Sequence, residues 1–286
     1  MMYFLQLIRW KNLCIIVVTQ LFVYVFLSSD QCLNLHISTD LILVCASTLL
    51  LAAAGYMIND YSDVRIDAVN KPEKLIVGRH ISRRVVFALH LALNLVAVVL
   101  ALRLNHVFAI INIAIAFILW QYSVRFKYYF FVGNVLIAGL MAMSLLVVDF
   151  SGDTILLLWL IYYTVFAFLT GLIREIIKDI EDQEGDARFG AKTLPNVLGI
   201  PKTKIVIYYL MLITLSLLIF SCAYLFYKDY LVLPLYLMLT TAVPLAVFFQ
   251  KTISADSKKD FGRLSSMIKL IMLAGVLSMG LRCLTF

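Results

Sequence analysis

Nine apolar runs, each near the length a helix needs to cross a bilayer, predict an all-α, polytopic membrane fold for this 286-residue chain. Composition points the same way. Hydrophobic residues make up 63% of the sequence and charged residues 14%, against the roughly 45–50% apolar usage of soluble domains. A soluble protein of this size has no core large enough to hide so much apolar surface. The runs also lack the two-residue alternation of a barrel strand, which leaves helices as the way to satisfy the backbone in lipid.

The candidate spans cover 12–29, 38–58, 83–102, 106–120, 130–149, 154–174, 203–226, 230–249 and 264–284. The first is followed by Ser28-Ser29-Asp30 rather than a small-residue cleavage site, so it is expected to be a retained helix and not a signal peptide. Pro234 and Pro244 are expected to kink the eighth. Connectors after the first, third, fifth and seventh spans are mostly short, with few basic residues. The remaining connectors are longer and charged. With the N-terminus on side one, that side collects every Lys and Arg except Arg103, Lys228 and Arg282. The positive-inside rule makes that side cytoplasmic and puts the C-terminus on the opposite one.

Two acidic stretches follow apolar runs on that side. Asn59-Asp60-Tyr61-Ser62-Asp63-Val64-Arg65-Ile66-Asp67 comes after the second span, and Asp179-Ile180-Glu181-Asp182-Gln183-Glu184-Gly185-Asp186 after the sixth. In each, three aspartates stand at i, i+3 and i+7, which share one face of a helix. Two carboxylates about 6 Å apart repel by roughly 3 kcal/mol at an effective dielectric of ~20. A divalent cation removes that repulsion, and an all-oxygen donor set suits Mg²⁺ shared with substrate phosphates. One such pattern reads as a solvated loop; two at matching topological positions read as a site. Their spacing suggests a four-span repeat. A single domain over 1–286 would then have halves of about 1–128 and 129–250, with the ninth helix at 264–284 appended and the site between the halves.

Asn59-Asp60-x-x-Asp63-x-x-x-Asp67 resembles the NDxxDxxxD signature of the UbiA superfamily of intramembrane prenyltransferases. Asp182-x-x-x-Asp186 resembles that family's second DxxxD motif. Arg9-x-x-Asn12, Asn70-Lys71-Pro72 with Gly78, Tyr122-x-x-x-x-Lys127 and Gly190-x-Lys192-Thr193-Leu194-Pro195 extend the resemblance along most of the chain. It implies a nine-helix bundle around a central cavity. Two Mg²⁺ ions would bridge the diphosphate of a polyprenyl donor, which ionises to an allylic carbocation shielded from water by apolar helices.

On this resemblance Asn59, Asp60, Asp63, Asp67, Asp179, Asp182 and Asp186 are the expected metal ligands. Asp63, Asp67, Asp182, Lys178 and Tyr122 are expected to act in catalysis. Arg9, Asn12, Lys71, Lys74, Arg79, Lys127 and Arg174 are expected to bind substrate, although the positive-inside bias alone places Lys and Arg at this face. Two readings of Tyr122 stand together: a partner of the diphosphate or carbocation, and an interfacial aromatic that only packs.

Val64 occupies the place where members with aromatic acceptors often carry Arg. The stretches around Asn59–Asp67, Asn70-Lys71-Pro72 and Arg174-Glu175-Ile176-Ile177-Lys178-Asp179-Ile180-Glu181-Asp182 resemble the branch that prenylates geranylgeranylglyceryl phosphate. Lys74-Leu75 departs from the Arg-Pro of many members. The expected reaction is therefore transfer of a polyprenyl group, geranylgeranyl by preference, to a lipid-soluble acceptor. An acceptor with its own phosphate suits the surplus of cations at this face. A 4-hydroxybenzoate or naphthoate acceptor is the alternative. A cation transporter, the alternative of another class, calls for carboxylates at mid-membrane on broken helices. A CDP-alcohol phosphotransferase would need the DGxxAR lead-in that this chain lacks.

The expected partners are the donor, the acceptor and membrane lipid, with no nucleic acid and no protein partner implied. The histidines (His36, His80, His90, His106) form no metal-binding spacing. The five scattered cysteines read as buried free thiols. Asn94, Asn112 and Asn134, within spans, are expected to hydrogen-bond between helices.

Overall fold

The computed structural model describes residues 2–27, 37–152 and 155–285, without the side chains of Lys74, Leu284 and Thr285. The expectations for the Lys74 side chain, Cys32 and His36 lie outside the described residues. Among the described residues nine helices are long and apolar enough to cross a membrane: Trp10–Leu27, Thr39–Asn70, Arg83–Leu104, His106–Val124, Val132–Ser151, Leu157–Glu181, Ile200–Tyr227, Val232–Ser254 and Lys258–Cys283. They are spans one to nine below. Among the described residues there is no strand, only an isolated bridge between Val77 and Ile81 that closes a turn.

The helices outlast the hydrophobic runs that announce them. Span two was expected to end at 58 and runs to Asn70; span six was expected to end at 174 and runs to Glu181. Hydropathy marks where lipid ends, whereas the i→i−4 backbone bonds continue into the polar region. Span two has 32 residues, so it is about 48 Å long against ~30 Å of hydrocarbon. Ser38 caps its start, accepting from the Leu41 N–H at 3.1 Å. Its last turns therefore carry the first acidic stretch to one end of the bundle on a continuous helix.

The second acidic stretch is not one helix. Span six ends at Glu181, Asp182 sits in the turn at φ −98° and ψ 6°, and Asp186 lies on a short helix, Gln183–Arg188. The shared face at i, i+3 and i+7 thus holds strictly only for Asp60, Asp63 and Asp67.

Spans two and six are the most enclosed of the nine. Span six packs with seven, eight and nine around Phe166, Ile173, Ile177, Ile207, Phe248 and Ile268. At the opposite end of the bundle Val23, Tyr24, Leu41, Leu145, Tyr163 and Met279 form a second cluster joining spans one, two, five, six and nine. Gln20, fully buried, donates to Thr48 Oγ1 and to the Ser144 carbonyl, both at 3.1 Å, and so ties spans one, two and five. Leu95, Ile110, Phe220 and Leu239 point outward, as lipid-facing residues do when tails are as apolar as the side chains.

Three local expectations are corrected. Pro244 does distort span eight, through a wide π turn at Met238–Ala242 just before it, because its ring crowds the carbonyl four residues back. Pro234 does not, because it lies in the first turn, where no backbone donor is required. Of Asn94, Asn112 and Asn134, only Asn134 reaches another span. Asn94 contacts His90, and Asn112 donates to the Phe108 carbonyl at 2.8 Å, each one turn back on its own helix. Cys222 is buried, but Cys14 is exposed and Cys45 half-buried; in a membrane protein an apolar neighbourhood includes the lipid face.

Candidate functional site

The two acidic stretches meet. Asn70, the last residue of span two, donates from Nδ2 to the Asp182 carbonyl and accepts the Gly185 N–H on Oδ1, both at 2.9 Å. A Cβ on Gly185 would stand 2.4 Å from Asn70 Nδ2, so this approach is open to glycine alone. Lys71, one residue on, places Nζ 2.7 and 2.8 Å from the two carboxylate oxygens of Asp182. Lys258, at the start of span nine, donates to the Asn70 carbonyl at 3.1 Å and closes the end of span two.

Each of three motif carboxylates has its own cation. Arg9 Nη2 donates to Asp60 Oδ1 at 2.8 Å, Lys71 pairs with Asp182, and Lys127 pairs with Asp63. Arg9 reaches Asp60 from a break between the short helix Met2–Leu7 and span one. There it takes a left-handed φ of 51°, a conformation that costs a non-glycine residue of the order of 1–3 kcal/mol. Its guanidinium also lies over the Tyr56 ring, 4.8 Å from the centroid, and Asn12 Nδ2 donates to the Tyr56 hydroxyl at 3.4 Å. Asp179 accepts from Asn134 Nδ2 of span five at 2.7 Å.

Below this end of the bundle lies a cavity of about 280 Å³. Arg9, Asn12, Asn59, Tyr122, Arg174 and Lys178 form its polar mouth; Leu51, Leu119, Leu140, Phe166 and Met272 are among its apolar walls. On span six the lining runs from Lys178 to Tyr163, so the chamber follows that helix for roughly 20 Å at 1.5 Å per residue. The site therefore joins charged, oxygen-rich groups at one end of the bundle to a deep apolar chamber.

The structure brings together Arg9, Asn12, Asn59, Asp60, Asp63, Lys71, Tyr122, Lys127, Arg174, Lys178, Asp182 and Asp186, with Asp67 and Asp179 flanking them. It does not bring in Arg79. That residue is exposed on a tight turn, with the Gly78 N–H bonded back to the Ile81 carbonyl at 2.8 Å. Sequence reasoning did not single out Glu175, Lys269 or Tyr56. Glu175 is 5% exposed and ion-paired with Arg174. A carboxylate or ammonium set inside an apolar run was the available signal; the positive-inside count had already absorbed the Lys269 charge.

The donor set is carboxylate and amide oxygen, the chemistry of a hard divalent cation. Among the described residues no three such side chains converge tightly enough to cage an ion alone. Asp186, outside the spans, has its pKa raised to about 7. Burial contributes most, followed by the nearby Asp182 and Asp63 carboxylates, against the pull of Lys178 and Lys127.

The chain is similar in sequence and fold to known proteins. Residues 16–271 match the family model described as the UbiA prenyltransferase family. The digeranylgeranylglyceryl phosphate synthase of Saccharolobus solfataricus is 34% identical over 242 residues, covering 83% of this chain and 82% of that protein. A solved structure of digeranylgeranylglyceryl phosphate synthase superposes with a TM-score of 0.69 at 26% identity, covering 99% of this chain and 98% of the other. A UbiA homolog from Archaeoglobus fulgidus, bound to GPP and Mg²⁺, shares the fold with a TM-score of 0.65 at 18% identity, over 97% of this chain and 99% of that one.

Two outcomes follow from this geometry. Asn70→Ala leaves the buried Gly185 N–H without its acceptor, so stability in detergent should fall by about 2 kcal/mol; a melting temperature equal to that of the parent protein would contradict the staple. With Asp186 among the metal ligands, a divalent cation would have to displace the proton it holds below about pH 7, so apparent Mg²⁺ affinity, read by calorimetry, should weaken as pH falls from about 8 to about 6, with proton release on binding; pH-independent affinity would remove Asp186 from the ligand set.

Proposed function

Since the chain belongs to the UbiA prenyltransferase family and is an intramembrane prenyltransferase, we propose that it transfers a geranylgeranyl group from geranylgeranyl diphosphate to geranylgeranylglyceryl phosphate. One observation carries this reading: two oxygen-rich motifs are stapled together at the mouth of a deep apolar chamber. The kinship with digeranylgeranylglyceryl phosphate synthases supports the choice of acceptor.

The reaction balances simply. The allylic C–O bond of the donor breaks, and its electron pair stays with the departing diphosphate. A hydroxyl oxygen of the acceptor then closes an ether bond on the freed carbon and passes its proton to the released diphosphate or to water at the mouth. The task of the protein is to stabilise the leaving group, hold both tails, and keep water from the carbocation.

Asn59, Asp60, Asp63 and Asp67 of the first motif, with Asp179, Asp182 and Asp186 of the second, would hold two Mg²⁺ ions. Bound there, Mg²⁺ supplies Lewis-acid neutralisation of the diphosphate. Arg9, Lys71 and Lys127 each hold a motif carboxylate, and would turn to phosphate oxygens once those carboxylates bind metal. Lys178, at the mouth, would face the same diphosphate. Tyr122 lines the chamber where the cation forms, and its ring face stabilises positive charge. The apolar walls exclude water along the length of the tail. The basic bias of the connectors supports a cytoplasmic position for the motifs and the N-terminus, with the C-terminus opposite.

A cation transporter reading calls for carboxylates at mid-membrane, whereas these stand at one end of the bundle, the first motif on an unbroken span two and the second where span six ends. The test uses purified protein, labelled geranylgeranyl diphosphate and an acceptor panel: geranylgeranylglyceryl phosphate, 4-hydroxybenzoate and a naphthoate. Product should form on geranylgeranylglyceryl phosphate, vanish with EDTA and return with Mg²⁺. Product on an aromatic acceptor alone would transfer the reading to quinone-type chemistry.

A further inference from the structure

We infer that Lys269 of span nine holds the phosphate of the acceptor and is a specificity-determining residue; this deepens, and rests on, the acceptor reading above. Span nine begins at Lys258, and Lys269 lies eleven residues further in, about 16 Å along the helix. The positive-inside bias accounts for Lys258, Lys259 and Arg263 at the start of that helix. It does not account for an ammonium three turns deeper, which is costly in a span unless it faces a cavity or a partner. Lys269 lines the central chamber, and it is the one charged side chain that span nine presents there; Met272, Leu273, Val276 and Met279 continue the same wall.

The surrounding charges do not neutralise it. Arg174, Lys178 and Glu175 of span six and Arg9 ahead of span one are the groups that act on Lys269. The Glu175 carboxylate is ion-paired with Arg174, and Arg9 is ion-paired with Asp60. Among the described residues neither Lys178 nor Lys269 has an ion pair of its own, and the carboxylate that acts on both, Glu175, is already paired with Arg174, so this end of the chamber holds more positive than negative charge. Lys178 is held chiefly by Glu175, one turn back on its own helix, and then by Asp182 of the second motif, and it stands on the donor side. Lys269, on the facing wall, is left for a second anion. A phosphomonoester brings a charge of about −1.5 to −2 at neutral pH, which matches that excess. An uncharged acceptor would leave Lys269 facing an apolar chamber without a counter-ion.

The deciding experiment compares the parent enzyme with Lys269→Gln and Lys269→Arg. Acceptors are geranylgeranylglyceryl phosphate and its dephosphorylated form, geranylgeranylglycerol, each with geranylgeranyl diphosphate as donor. For Lys269→Gln the KM for the phosphorylated acceptor should rise about ten- to hundredfold, the size expected for a lost charge-assisted contact. Its KM for the donor should stay within about twofold, and turnover of geranylgeranylglycerol should be unchanged. Lys269→Arg, which keeps the charge, should restore most of the discrimination. Equal loss on both acceptors, a raised KM for the donor, or no change at all would overturn the assignment. If the parent enzyme leaves geranylgeranylglyceryl phosphate unreacted, the acceptor reading itself has failed. If it reacts and Lys269→Gln discriminates as the parent does, only this inference has.

Discussion

Carboxylates gathered at the end of an apolar bundle cannot be left to repel one another, and the rest of this structure is arranged around that constraint. Asp60, Asp63 and Asp182 are each given a cation, from the N-terminal helix break, the connector after span four and the end of span two respectively. Two like charges about 6 Å apart cost roughly 3 kcal/mol, while opposite charges at hydrogen-bonding distance recover about twice that at the same effective dielectric. Screening takes a share of both, because these side chains are only partly buried. The balance still explains why Arg9 tolerates a left-handed backbone: the pairing with Asp60 and the contact with Tyr56 outweigh the local strain.

The same constraint shapes the helices. Span two runs well past the hydrocarbon, so that its carboxylates stand at the end of the bundle, not within its apolar middle. Span six stops sooner, and Asp182 sits in the turn that follows it. A neutral group, Asn70, then joins the two motifs by bonding the Asp182 carbonyl and the Gly185 N–H. Using an amide for this staple leaves the carboxylate oxygens to face cations, which is where a metal-assisted diphosphate departure needs them. Directly behind them the wall becomes apolar, so charge stabilisation and protection from water occupy adjacent parts of one cavity.

Much of this was legible from the residues. Long apolar runs located all nine spans, since burial in lipid leaves a helix no other composition. Asp60, Asp63 and Asp67 announced a shared face, because helical periodicity survives where hydropathy stops. The break at Asp182 was not legible: an i, i+3, i+7 pattern is the same string whether or not a turn interrupts it. Arg79 looked equivalent to Lys71 in sequence, but the turn closed by Gly78 and Ile81 holds it away. Glu175 and Lys269 were hidden for opposite reasons. The first lies one turn ahead of a motif whose aspartates draw the attention, and the second was counted among the cations that set topology. Only their place on the chamber wall separates them from ordinary charges.

The central claim is that both motifs grip a single diphosphate, and binding of a non-hydrolysable geranylgeranyl diphosphate analogue tests it most directly. Affinity would be measured with Mg²⁺ present for the parent protein, Asp63→Asn and Asp182→Asn. These two substitutions lie on different elements. Either one alone should abolish Mg²⁺-dependent binding while the folded protein elutes unchanged from a sizing column. Parent-like affinity in either variant would mean that one motif suffices and that the two do not share the ligand.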